Sequence, residues 1–129
     1  MPRVSAAFFA TGVLCVLVGG LIGMWMASGG NAAYSGIHVH LNLVGWATMG
    51  LCGTFYALTR ETMSVRFAWI NYAVFTAGIL VFFPAYALYV SGNTSPMLLT
   101  IAQAGNGLTA LGMLLFAVSV FRELFRKRA

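Results

Sequence analysis

The two histidines of this chain, His38 and His40, stand two residues apart in the run Ile37-His38-Val39-His40-Leu41-Asn42-Leu43-Val44-Gly45-Trp46. Imidazole is a ligand for haem iron, copper or zinc, and its unperturbed proton affinity lies near neutrality. On a helix of 3.6 residues per turn, side chains two apart project about 200° from one another. His38 and His40 therefore face opposite sides and do not grip one metal together, as an i, i+4 pair would. Each serves a different cofactor, or each meets a histidine from another copy of the chain. One histidine on each of two faces implies an oligomer.

The neighbours of the pair narrow the metal. Asn42 lies one turn beyond His38. Zinc takes about four ligands, and no Asp, Glu or Cys lies near the histidines; the two acidic residues are Glu61 and Glu123. A haem needs one or two axial ligands and an apolar slot. Gly45, Gly50 and Gly53, with Trp46, Phe55 and Tyr56, would supply slot and stacking surface. The candidate cofactor-binding set is His38, His40, Asn42, Gly45, Trp46, Gly53 and Tyr56, with His38 and His40 as the metal ligands. Copper is the alternative, because Met24, Met26 and Met97 come near the same end, although methionine also simply fills gaps. The bland alternative is a pair of polar rim residues bonded to loop carbonyls.

The elements that must carry these residues follow from composition. Of 129 residues, 60% are hydrophobic and 7% charged, with a mean hydropathy of +0.89. A soluble domain carries about 25% charged residues, so an ordinary cytosolic enzyme is excluded and lipid is the main solvent. The net charge of +5 would suggest nucleic acid in a soluble protein; here no nucleic-acid partner is expected, because topology explains the basic residues. Cys15 and Cys52 fall inside apolar stretches without a spacing signature, and read as small buried hydrophobes.

Four apolar runs, at 6–26, 37–59, 67–90 and 97–121, are each long enough to cross a hydrocarbon core of roughly 30 Å. The expected fold is all-α: a single transmembrane domain of four helices over 1–129, with no room for a soluble catalytic domain. The first run lacks a clean cleavage site and is kept as a span. Arg3, Arg60, Arg66, Arg122, Arg126, Lys127 and Arg128 all fall on one side of a four-span arrangement. The positive-inside rule places both termini in the cytoplasm and the histidines near the outer face, in a membrane of the bacterial inner type. Gly19-x-x-x-Gly23 in the first span reads as close helix packing. Pro84 is expected to kink the third span. Trp25, Tyr34 and Trp69 read as interfacial anchors.

His38-Val39-His40, followed by Gly45-Trp46 and then Gly53, Tyr56 and Leu58, resembles the tenth helix of the catalytic subunit of haem-copper oxidases, most closely the C-family, cb-type. The resemblance implies that the first histidine binds a high-spin haem and the second a low-spin haem. Small four-span proteins often labelled as fragments of that subunit are the nearest whole-chain likeness. The motif covers about one sixth of the chain. Departures are equally informative: the oxidase subunit carries further histidines for its copper and its low-spin haem, and this chain has none beyond the pair. An oxygen-reducing binuclear centre is not carried over, and enzyme activity is left open.

The resemblance also implies an assembly, because the twelve-helix oxidase subunit resembles three four-helix arcs. Three copies of this chain would reproduce that plan, with His38 of one protomer facing His40 of the next across a haem b in a closed ring. A dimer sharing one haem through two His40 side chains is the second arrangement. The expected function is a membrane b-type haem protein for electron transfer or diatomic gas binding, partnered by the lipid bilayer, its own copies and a redox partner or respiratory oxidase. The alternatives are a haem or copper handling factor that assembles such an oxidase, and a cofactor-free helper subunit.

Overall fold

The computed structural model describes residues 1–127; Arg128, the last of the basic residues counted above, lies outside the described residues. Among the described residues, four helices long and apolar enough to cross a bilayer make this an integral membrane protein: α1 (Arg3–Ala27), α2 (Ala32–Leu58), α3 (Val65–Val90) and α4 (Pro96–Leu124). No strand occurs among the described residues. The predicted spans 6–26, 67–90 and 97–121 lie within their helices, and 37–59 runs one residue past the end of α2.

Local chemistry sets the helix ends. Asn31 accepts a hydrogen bond from the Ala33 amide at 2.9 Å, opening α2 through a short 3₁₀ turn at Ala32–Tyr34. Ser64 accepts one from the Phe67 amide at 3.3 Å at the start of α3, and Pro96 occupies the first turn of α4, where its missing N–H is harmless. Gly29 and Gly92, in the turns after α1 and α3, have φ of 99° and 111°, a conformation open to glycine and strained for other residues. α3 runs through Pro84 as one helix.

The helices run antiparallel to their neighbours as two hairpins. α1 meets α2 through glycines that admit a facing side chain or backbone: Gly53 beside Phe8, Gly45 beside Cys15, Gly12 beside Trp46 and Gly19 beside Leu41. α3 meets α4 at Gly78, Gly105 and Gly112; a Cβ on Gly105 would overlap the backbone of Phe82, so the two helices touch main chain to main chain there. Without a hydrophobic driving force between helices in lipid, this close packing supplies the cohesion.

The hairpins join through a polar knot. The Tyr56 hydroxyl bonds Asn71 at 3.3 Å and Ser119 at 2.8 Å, while Asn71 donates to the Gly112 carbonyl. Thr11 and Tyr72 pair at 2.9 Å, and Phe8 stacks on Tyr56 with ring centroids 5.7 Å apart. Arg3, the Arg60–Arg66 segment and the end of α4 thus gather at one end of the bundle, the arginine end, and the histidines lie toward the other.

Candidate histidine site

The histidines sit where α2 changes its winding. Ser35–His40 is α-helical, Leu41–Thr48 winds as a π-helix with i→i+5 bonds, and Met49–Leu58 is α-helical again. Two side chains support the wider turns: Asn42 Nδ2 donates to the His38 carbonyl at 2.8 Å, and the Thr48 hydroxyl donates to the Leu43 carbonyl, five residues back, at 2.9 Å. π-helical turns inside α-helices recur at functional sites.

His38 turns toward α1. Its Nδ1 lies 2.7 Å from the Gly19 carbonyl oxygen. A carbonyl only accepts, so in the neutral ring the proton is on Nδ1 and the Nε2 lone pair is free. Asn42 Nδ2 also approaches Nδ1 at 3.3 Å, but both atoms then carry hydrogen, and the amide's bond goes to the His38 carbonyl. The ring fits because Gly23 has no side chain: a Cβ there would come within 2.6 Å of His38 Cε1. Gly19 packs against Leu41 and Asn42 of α2, as expected for close helix packing, and Gly23 makes the seat of the imidazole.

His40 turns the other way. It is exposed, its Nδ1 lies 2.7 Å from the Gly36 carbonyl one turn back, and its ring centroid is 5.7 Å from that of Phe82 on α3. By the same argument the proton is on Nδ1 and the Nε2 lone pair is free. A ligating histidine ordinarily holds its second ring nitrogen to a carbonyl or carboxylate, which fixes the tautomer and raises ligand basicity. Both imidazoles meet that condition, and this donor set fits one axial nitrogen from each.

The other predicted site residues are spread along the bundle. Asn42 touches His38, and Trp46 is 39% exposed, its ring beside Gly12. Gly45 is packed on Cys15, where a Cβ would meet the cysteine Cβ at 2.5 Å, and Gly53 is packed on Phe8 and the Ser5 carbonyl. Tyr56 is buried in the knot with Asn71 and Ser119, toward the arginine end. Cys15 and Cys52 are free and buried. Met24 and Met97 are 72% and 71% exposed. The sequence reading had no signal for Gly36 or Phe82 as neighbours of His40, because neither type nor spacing marks a carbonyl acceptor or a ring on another helix.

Among the described residues no group of three or more His, Cys, Asp and Glu side chains is placed to hold a metal ion. No family model, no curated protein and no solved structure matches this chain.

Proposed function

We propose that this is a membrane b-type haem protein in which His38 and His40 supply axial nitrogens, serving electron transfer or diatomic gas binding rather than complete oxygen reduction. The observation that carries the reading is the pair of 2.7 Å contacts from Nδ1 of His38 to the Gly19 carbonyl and from Nδ1 of His40 to the Gly36 carbonyl. Each contact holds a proton on Nδ1 and leaves Nε2 as a lone pair. Haem, when bound, supplies one-electron chemistry and an affinity for small gases. The chain's own contribution is to orient the rings and hold their tautomers, with Phe82 beside His40.

A single protomer points its two imidazoles at different surroundings, α1 for His38 and Phe82 for His40. Two axial nitrogens on one iron therefore come from two copies, and a ring of three in which His38 of one protomer faces His40 of the next is the arrangement we favour over a dimer. The clustering of basic residues at the other end supports, by the positive-inside rule, a topology with both termini in the cytoplasm and the histidines near the outer face of an inner bacterial-type membrane. There the haem would exchange electrons with a redox partner or a respiratory oxidase.

The test is the absorption spectrum of the detergent-purified protein, oxidised and dithionite-reduced, with haem per chain quantified. Sharp reduced bands that carbon monoxide leaves unchanged are expected, and are lost in His38→Ala and in His40→Ala separately. A carbon monoxide shift would move the reading to an open site for gas. Absence of haem after expression with added haem, together with stoichiometric copper, would replace it by copper handling for an oxidase.

A further inference from the structure

We infer that the outward face of α4, carrying Gln103, Asn106 and Gly107, is a contact surface for a second copy of this chain. α4 has two opposed faces. Ala102, Gly105, Thr109 and Gly112 form the buried stripe. Gln103, Asn106, Gly107 and Ala110 lie on the exposed side, with Leu114 continuing the stripe at 65% exposure.

The exposed stripe has the wrong chemistry for lipid. The side-chain hydrogen bonds of α4 are those of Thr100, Thr109, Ser119 and Glu123, and among the described residues the amides of Gln103 and Asn106 make none. Asn106 stands ten residues beyond Pro96, about 15 Å along the axis at 1.5 Å per residue, which is near the middle of a hydrocarbon core of roughly 30 Å. Hydrocarbon offers an amide no partner, and polar side chains in spans face other protein or water.

Gly107 gives a second, independent sign. A Cβ there would meet nothing within 4 Å, whereas Gly105 and Gly112 on the same helix are held against Phe82 and Phe75. Glycine within a helix costs about 1 kcal/mol relative to alanine, and no packing inside the protomer requires it. A close approach from outside does. Small residues beside hydrogen-bonding ones are the signature of helix pairing within a membrane.

The chemistry also selects the partner. A carboxamide carries both donors and an acceptor, so the same amide on a second α4 satisfies both at once. α4 therefore meets α4 of its neighbour around a symmetry axis, with Asn106 and Gln103 bonded across it. This contact shares with the proposed function the need for a second copy, and it does not depend on haem.

Subunit counting by single-molecule photobleaching in lipid nanodiscs tests it, with helicity checked by circular dichroism. The wild-type protein is expected as an oligomer. Asn106→Leu, alone or with Gln103→Leu, is expected to weaken association at least tenfold while keeping the helices, and Gly107→Leu to do the same by blocking approach. Asn106→Cys is expected to crosslink under mild oxidation, with the wild type, whose Cys15 and Cys52 are buried, as the uncrosslinked control. A monomeric wild type, or an Asn106→Leu variant that associates as the wild type does, would overturn the inference. Haem measured on the same samples separates the two readings: an oligomer without haem upholds this surface and removes the haem, whereas haem on a monomer removes this surface and leaves a haem held by one histidine.

Discussion

Nδ1 of His38 lies 2.7 Å from the carbonyl oxygen of Gly19, a residue on the preceding helix. In an unbroken α-helix that carbonyl is already engaged by the amide four residues on, so it accepts a second hydrogen bond with its other lone pair. The bond ties the imidazole to α1 and sets its tautomer in one contact. The glycines make it reachable: side chains at 19 and 23 would occupy the space of Leu41, Asn42 and the His38 ring.

Gly23→Ala should expel the His38 ring, since the added Cβ would fall 2.6 Å from Cε1. Loss of a ligand's orienting contact typically lowers metal-site affinity about 10- to 100-fold. Haem retained per chain, measured across a dilution series, should fall by that order. Gly20→Ala, where a Cβ meets nothing within 4 Å, is the matched control and should bind as the wild type does.

Asn42→Leu removes the amide that donates to the His38 carbonyl at 2.8 Å. The loss of one such bond is expected to cost about 1 kcal/mol, read as a lower thermal midpoint in detergent. Asn42→Gln, whose longer arm displaces the amide, should recover little of it. Unchanged melting in Asn42→Leu would show that the π-helical turns of α2 stand without this side chain.

Tyr56→Phe deletes the hydroxyl shared by Asn71 and Ser119. Burial leaves Asn71 with one partner fewer, so a loss of about 1–3 kcal/mol is expected, by reversible unfolding in mixed micelles. The reduced spectrum of the haem-loaded protein is expected to stay the same, because the hydroxyl is spent between helices at the arginine end. A displaced spectrum would bring Tyr56 into the cofactor site, as its place in the candidate cofactor-binding set implies.

Gly105→Ala should be among the most damaging single changes in the chain. The new methyl would overlap the Phe82 backbone, which, unlike a flexible side chain, has no rotamer to yield into. Overpacking of this kind costs about 1–3 kcal/mol or more. Because the Phe82 ring lies beside His40, the same variant should disturb the histidine end, visible as a shift in His40 ring resonances by NMR.

Hydropathy and the placement of Arg3, Arg60, Arg66, Arg122, Arg126 and Lys127 were enough to assign four helices with one basic end. Both signals are local: a run of apolar residues makes a span by its length, and charges mark its ends. The opposed directions of His38 and His40 follow equally from the turn of a helix, and the two rings do meet different helices. Spacing said nothing of partners on other helices. That Gly19 and Gly23 seat His38, that Gly45 faces Cys15, and that Tyr56 joins Asn71 and Ser119 are decided by how α1, α3 and α4 pack on α2. The π-helical winding of Leu41–Thr48 belongs with these, for it rotates every later residue of α2 against a neighbour already in place. A glycine reads alike in sequence whether it admits a backbone, an imidazole or another protomer; only the atom opposite its missing Cβ tells them apart.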